Sequence, residues 1–573
     1  MLEATGTDAA ILGDWERRVQ LARGELHWPQ AAIAAIAHAS SASLAFGAPP
    51  DQLFTATEVN EWALCATLAA RDPALTPGLI AALAAEQPEE PEPPVLDAAG
   101  AMLRLRRRAA REANPRLREL LAAATARGLP WLCDDELLTL GAGAGGRGWL
   151  LHQLPDPDEI PWDGLHGIPT ALVTGTNGKT TVVRLIAACA AAAGRKTGYC
   201  CTDGVFVGSH AIGTGDYAGP AGARRVLHDT RVEAAVLETA RGGILRRGLA
   251  VGRADAAVVT SIAADHFGEY GIHDLEALAG VKLAVARAVG RDGVLVVNAD
   301  DAILSRLAPM TGKTLAWFAR DAAHPLLAAH RRQGGRTCGV SSGRLTLAEC
   351  GREHDLGAIA AMPLAAGGHS QFNISNLAAA ALAAAGIGSE PGTIAVTFAR
   401  FGADPKDNAG RLMRYELGGL NLIVDFAHNP AALAGLVDFA QRLRGNGRLA
   451  LLLGQAGNRE DADIDRLASV AAGALPDLVV VKELGGYLRG REAGEVPAIL
   501  RRALAATGID PASVVDARDE DAAVRQALAW ARPGDVLVLP LHSREGRSAA
   551  LGLIERLRAQ AWTAGAPLPA ANA

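Results

Sequence analysis

No C-x-x-C pair and no zinc spacing occurs among the seven cysteines of this 573-residue chain (Cys65, Cys133, Cys189, Cys200, Cys201, Cys338 and Cys350), and their number is odd. That usage argues against a disulfide scaffold or a structural zinc and for a reduced, cytoplasmic protein. The adjacent Cys200 and Cys201 read as strand-end packing residues rather than a redox pair. An excess of basic charge is missing too. The formal net charge is -6 and the pI about 6.2, so no whole-chain field points to nucleic acid. The opening "MLEATGTDAAILGDWERR" has no basic start followed by an apolar core, which argues against a signal peptide. Apolar runs such as "NLAAAALAAAGIG" are mostly alanine and too short to span a bilayer. Neither a nucleic-acid nor a membrane partner is expected.

What is there is length enough for three or four domains. Residues 1–85 read as Ala- and Leu-rich helical segments, followed by a proline- and glutamate-rich linker, "EQPEEPEPPV" (86–95). "GAMLRLRRRAAREANPRLRELLAAATARG" is basic and helix-forming, with a break at Pro115. Its cluster of Arg104, Arg106, Arg107, Arg108 and Arg111 reads as a solvated helix face, because no aromatic residues interleave with it. "GAGAGGRG" (141–148) contains G-x-G but lacks a strand–loop–helix context and reads as a loop.

From about residue 167 short β-rich runs alternate with helical ones: "TALVTG" (170–175), "AAVLET" (234–239), "AAVVTSI" (256–262) and "GVLVVNAD" (293–300). After about 413 the alternation resumes with "NLIVDFAHN" (421–429), "RLALLLG" (448–454), "DLVVVKE" (477–483) and "GDVLVLPL" (534–541). Near-continuous apolar strands between helices imply parallel sheets covered on both faces. The expected organisation is α/β: a mostly helical region over 1–165, a central domain over 166–412 and a Rossmann-like C-terminal domain over 413–573.

Ligands of open α/β sheets bind beyond the carboxyl ends of the strands. After the first strand comes Thr174-Gly175-Thr176-Asn177-Gly178-Lys179-Thr180-Thr181, then a helix expected to stop at Gly194. Backbone amides of such a turn cradle phosphate oxygens, Lys179 would reach the β- and γ-phosphates, and the Thr180 hydroxyl would hold Mg²⁺. The usual G-x-x-x-x-G-K-[ST] pattern has a glycine where this chain has Val173. Glu238, ending the second strand, stands where P-loop proteins place a magnesium carboxylate, although alone it could be a helix-capping acid. Asp265 and His266 follow the third strand, and His266 could take a second metal or a phosphate. "DLEALAGVKLAVARAVG" (274–290) reads as a helix with Asp274 as N-cap and Gly290 as stop. Its only lysine, Lys282, lies on an otherwise apolar face, where it either snorkels outward or is buried for a purpose.

In order along the chain stand "TGTNGKTT", "ETARGG", "DHFGEYG", the helix carrying Lys282, "NADD" (298–301), "GGHSQFNISN" (367–376), "NAGR" (408–411) and "DFAHNP" (425–430). This series, with its glycine-lean loop, resembles the Mur ligases. Segments 202–249 and 482–500 are similar to the cyanophycin synthetase branch of that family. Those synthetases resemble an ATP-grasp ligase fused ahead of a Mur-type ligase, and this chain reaches its P-loop by residue 175. One ligation chemistry is therefore expected rather than two.

The resemblance implies ATP-dependent amide synthesis through an acyl phosphate. It implies that Gly175, Thr176, Asn177, Gly178, Lys179 and Thr181 hold the phosphates, and that Thr180 and Glu238 bind one Mg²⁺. His266 would help with a second Mg²⁺, together with Lys282 carried as a carbamate. Asn373 and Asn376 would reach the adenine, and Arg411 and Asp425 the ribose or phosphates. His428 would approach the phosphates when the domains close across a hinge between "NAGR" and "DFAHNP". Lys179, His266, Lys282 and His428 are thus the expected catalytic set, with Arg489 and Arg491 as contacts to the amine. The implied partners are ATP and amino acids or short peptides of the aspartate/arginine type, with homo-oligomerisation left open. The rivals are a peptidoglycan or folyl-polyglutamate type ligase, disfavoured by 202–249, and a nucleotide-binding regulator of a separate synthetase. The mark of the latter would be loss of Lys179, Glu238 or His266, and all three are present.

Overall fold

The computed structural model describes residues 2–5, 9–37, 41–85, 93–265 and 267–569. His266 and most of the expected linker, 86–92, lie outside the described residues. The break at Pro115 is a change of helix. Ala98–Glu112 ends, and the Asn114 side chain accepts from Leu117 N at 3.0 Å to cap Pro115–Ala126, with proline in the first turn where a missing N–H costs nothing. The N-terminal region is mostly helical, as expected, but it also carries two small sheets. Leu2–Thr5, Ile33–Ala37 and Ser41–Phe46 form an antiparallel sheet packed on helices Ala9–Glu25 and Leu53–Arg71. Trp131–Cys133, Leu137–Leu140 and Arg147–Leu150 form a second. Alanine's helix propensity is a weak prior, and burial of Ala42 and Leu44 against Trp15 and Trp62 overrides it. The glycine-rich run 141–148 is a turn leading into the last of these strands, and Ala144 N donates to Val232 O of the central domain at 2.7 Å.

The central sheet has eleven strands. Its inner seven are parallel, in the order Thr197–Cys201, Ala234–Glu238, Thr170–Thr174, Ala254–Val259, Val289–Asn298, Leu315–Asp321 and Arg336–Ser341. Antiparallel hairpins extend both edges (Gly204–Val207 with His210–Thr214; Arg344–Glu349 with Arg352–Ala358), so the sheet is mixed rather than wholly parallel. The helix after the first strand, Lys179–Ala192, ends at Gly194 with φ +85°, as a glycine C-terminal stop requires. The stretch 274–290 is not one helix. Asp274 caps Leu275–Leu283 by accepting from Ala277 N at 2.8 Å, a 3-10 turn follows, and Gly290 lies inside the strand Val289–Asn298. Val289 pairs with Ala254, and this sheet register ends the helix early.

One face of the central sheet is covered by Lys179–Ala192 and by Gln371–Gly386, in which Ala378 to Ala384 are fully buried. Alanine here sets how closely helix and sheet approach. Ala380→Leu is expected to overpack this seam and destabilise the protein by about 1–3 kcal/mol, measured by urea unfolding.

The C-terminal sheet runs Met413–Leu417, Leu420–Asp425, Val536–Pro540, Leu449–Leu453, Leu478–Lys482 and Val514–Ala517. Only its first pair is antiparallel. Pro430–Arg444, Asp461–Gly473 and Glu495–Ala506 cover one face, and Glu520–Trp530 and Arg544–Ala559 the other. The seven cysteines are free, and Cys200 and Cys201 are buried packing residues whose thiols burial pushes up. No described helix is long and apolar enough to cross a membrane.

Candidate active site

The phosphate-loop strand is flanked by the strands that end in Glu238 and Val259, so loop and carboxylate emerge side by side. Val173, at the position of the missing glycine, is fully buried within that strand and pairs in register with Glu238 and Val258. The turn begins only at Gly175, so a side chain at 173 fills core and leaves the loop untouched. Gly178 is different. It has φ +83°, and a Cβ there would stand 2.2 Å from Asn376 Oδ1. Loop and helix Gln371–Gly386 can meet this closely only with glycine.

Thr180 Oγ1 donates to Glu238 Oε2 at 2.8 Å, and Thr202 Oγ1 to Oε1 at 3.1 Å. Glu238 is 1% exposed and makes no ion pair among the described residues. A buried carboxylate answered only by hydroxyls is an all-oxygen donor set suited to Mg²⁺. Lys179 Nζ donates to Thr176 O at 2.9 Å. Thr176 and Asn177 are held in turn by Ser261: Thr176 N donates to its carbonyl at 2.8 Å and Asn177 N to its hydroxyl at 3.3 Å.

Lys282 is 4% exposed and points inward, donating to Gly175 O at 2.8 Å. Burial is the main cause that drives its pKa well below the ordinary lysine value, and the nearby charges of Lys179 and Arg241 push the same way. Asp265 faces the C-terminal domain, 3.1 Å from Arg459 Nη2 and 3.7 Å from His428 Nε2.

Asn373 and Asn376 join through a 3.0 Å hydrogen bond, with Asn376 Nδ2 as donor. Arg411 Nη2 donates to Thr180 Oγ1 at 3.4 Å, and its guanidinium lies 4.4 Å from the centre of the Phe426 ring. Asp425 accepts from Leu412 N at 2.7 Å, and burial raises its pKa against the pull of Arg411. His428 is held through its carbonyl by Gln455 Nε2 at 3.0 Å. Asn429 caps Pro430–Arg444 and exchanges side-chain hydrogen bonds with Asn177 of the phosphate loop at 3.0 and 3.2 Å.

Two cavities meet at this corner, of about 610 and 910 Å³. The smaller runs from the phosphate loop past Asn373 and Asn376 to Phe372 and Arg442. The larger opens toward Arg241, Lys282, Tyr487 and Arg489. Thr176, Lys179, Thr202, Glu238, Phe426 and His428 line both. Arg491 does not line either cavity. It is spent on Asp461, Glu495 and the carbonyls of Gly457 and Arg459, so of the two arginines only Arg489 is available to a substrate. Sequence reasoning passes over Thr202, Asn429 and Arg459. The one local signal is Asn429 before Pro430, a helix N-cap.

This is the architecture of a P-loop domain closed by a Rossmann-like partner. Residues 173–384 match the Mur ligase middle domain and residues 410–540 the Mur ligase glutamate ligase domain, and the chain belongs to the Mur ligase family. Among individual proteins, it is 36% identical over 394 residues to cyanophycin synthetase from Trichormus variabilis, an alignment covering 68% of this chain and 42% of that protein. The chain thus spans less than half the length of this curated relative. It is 28% identical over 394 residues to UDP-N-acetylmuramoyl-L-alanyl-D-glutamate--2,6-diaminopimelate ligase from Xanthomonas campestris, over 66% of this chain and 74% of that one. Escherichia coli FolC, solved in complex with DHPP and ADP, shares the fold with a TM-score of 0.50 at 21% identity, over 68% of this chain and 89% of that one.

Proposed function

We propose that this chain is an ATP-dependent carbon–nitrogen ligase that activates a substrate carboxylate as an acyl phosphate and joins it to an amine. The observation that carries the reading is the shared wall of the two cavities, where Lys179, Glu238 and His428 face both a nucleotide-sized cleft and a larger chamber. ATP would lie in the smaller cavity, its base near Asn373 and Asn376 and its phosphates on the loop amides of Gly175 to Thr181. A carboxylate oxygen entering from the larger cavity attacks the γ-phosphorus, the bond to the β–γ bridging oxygen breaks, and ADP leaves. The amine then attacks the acyl carbon, phosphate departs and the amine proton is lost. Such chemistry is mostly positioning and charge neutralisation.

Lys179 supplies positive charge at the β/γ bridge and Arg411 a guanidinium beside Thr180. Thr180 and Glu238 would hold Mg²⁺, whose contribution when bound is to offset charge on the transferring phosphoryl group. Glu238→Gln is expected to raise the Mg²⁺ concentration for half-maximal turnover at least about tenfold. Lys282, a buried amine whose pKa burial lowers, would take up CO₂ and lose a proton to become a carbamate, and with His266 would serve a second Mg²⁺. Turnover in CO₂-depleted buffer should then rise when bicarbonate is added, and an unchanged rate would remove the carbamate from the scheme.

The substrates we infer are amino acids or short peptides, with aspartate/arginine-type compounds first because of the cyanophycin synthetase relative. The test is purified protein with ATP, Mg²⁺ and pools of amino acids and short Asp/Arg peptides, read by phosphate release and mass spectrometry. A condensed product with stoichiometric ADP supports the ligase. Phosphate release with no condensed product from any pool favours a regulatory nucleotide-binding role instead.

A further inference from the structure

The segments "TDGVFVG" (202–208) and "HSREGR" (542–547) are brought together by the fold. Asp203 sits in the turn after Thr197–Cys201, and Arg547 in the C-terminal helix Arg544–Ala559. Arg547 Nη2 donates to Asp203 Oδ1 at 2.8 Å, and Arg184 Nη2 of the phosphate-loop helix donates to Oδ2 at 2.9 Å. Arg411 Nη2 stands 4.0 Å from Oδ2. All four side chains are 15% exposed or less. Burial alone would raise the pKa of Asp203, but Arg411, Arg184 and Arg547 outweigh it and keep the carboxyl below its ordinary range.

The same network grips the segment that joins the domains. Arg184 Nη1 donates to Ala409 O at 2.8 Å, and Asn408 Nδ2 to Thr181 Oγ1 at 3.2 Å. Gly410 has φ +75°, and a Cβ there would stand 2.4 Å from Arg547 Nη1, so glycine is what lets the guanidinium pass. One carboxylate therefore ties together the phosphate-loop helix, the connecting segment and the C-terminal domain. Taking so many charges out of water is costly, and such clusters are better suited to specifying one geometry than to adding stability.

We propose that Asp203 is a positioning residue that aims Arg411 at the phosphate corner and, through Arg547, holds the C-terminal domain over the phosphate-loop helix. The inference rests on reading that corner as a nucleotide site. Three measurements test it. In Asp203→Asn, ADP-forming turnover assayed well below the variant's own melting temperature should fall about tenfold or more, and Asp203→Glu should recover most of it. In an Arg411→Lys background, Asp203→Asn should cost no more than about twofold further, because the guanidinium to be aimed is gone. An equally large loss in both backgrounds would overturn the proposal. The third measurement needs no ligation substrate: X-ray scattering with Mg²⁺ and a non-hydrolysable ATP analogue. Compaction seen in the native chain and lost in Arg547→Gln supports the clamp, and identical compaction in both refutes it. If the clamp behaves as described and no substrate pool yields an amide, the ligase reading fails and the clamp stands.

Discussion

Replacing Lys179 by alanine is expected to cut ATP turnover about 10²–10³-fold while leaving stability within about 0.5 kcal/mol. The asymmetry follows from where the side chain sits. Among the described residues its ammonium makes one hydrogen bond, to Thr176 O, and its neighbours on the loop are held independently through Ser261. The loop therefore keeps its shape without it. What disappears is the positive charge on the shared wall of the two cavities, where the proposed transfer of the γ-phosphoryl group would build up charge. Phosphate release and thermal unfolding measured on the same preparation decide the matter. Turnover within tenfold of the native protein would mean that the loop does not act on a transferring phosphate.

The second large effect is on stability, and it lies at the other side of the chamber. Lys482 is fully buried in the C-terminal sheet, and its ammonium is met by Glu520 Oε1 at 2.5 Å and by the carbonyl of Pro540. Glu520 also accepts from His542 N at 2.7 Å, from Ser543 N at 2.9 Å and from Ser543 Oγ. Glu520→Ala strands the lysine charge and is expected to cost about 3–5 kcal/mol, whereas replacing both partners by Lys482→Met and Glu520→Leu should cost far less. Urea unfolding distinguishes the two outcomes, and equal losses would show that the pair is not what holds this corner.

The same cluster sets an acid limit. Burial by itself would raise the pKa of Glu520, but the charges of Lys482 and His542 and the hydrogen bonds from Lys482 and Ser543 bring it down to about 2. His542 is lowered to about 3 from its ordinary 6.5, chiefly by burial and then by the charge of Lys482. In both cases the unfolded chain binds the proton at higher pH than the folded one, so stability rises with pH. The His542 contribution should be lost as pH falls from about 6.5 to 3, and that of Glu520 as pH falls from the usual carboxylate range to about 2. Unfolding free energies at a series of pH values should show this slope, and Glu520→Gln should flatten its lower part. His542 Nε2 bonds the carbonyl of Ala427, next to His428, so acid loosening of this corner reaches the shared wall of the cavities.

Much of this site is legible in the residue order because its parts are local. A strand, a glycine turn and a helix in succession make the phosphate loop, and an apolar strand ending in Glu238 puts a carboxylate next to it. Lys282 shows where local reading stops. Its helix is apolar on the face that carries it, and periodicity alone leaves an outward and an inward lysine equally open. The choice is made by the packing of Leu275–Leu283 over the loop, which aims Nζ at Gly175 O. Gly290 marks a second limit: glycine reads as a helix stop, but pairing of Val289 with Ala254 claims it for a strand. In the N-terminal region alanine-rich composition reads as helix, and the strands Ile33–Ala37 and Ser41–Phe46 emerge only because tryptophans from two helices need a sheet to bury against.

What the sequence by itself determined is therefore the family, the phosphate loop with Val173 in place of its first glycine, and the order of the two α/β units. Each rests on residues close together in the chain, where backbone chemistry and hydrophobic period act directly. What only the tertiary structure decided is everything built from residues far apart: the wall shared by two cavities, the availability of Arg489 but not Arg491, the Asn177–Asn429 contact, and the meeting of Arg184, Arg411 and Arg547 on Asp203. The physical reason is that a side chain's partners across domains depend on how whole sheets and helices pack. Ion pairs over such separations leave no period or spacing in the chain from which they could be read.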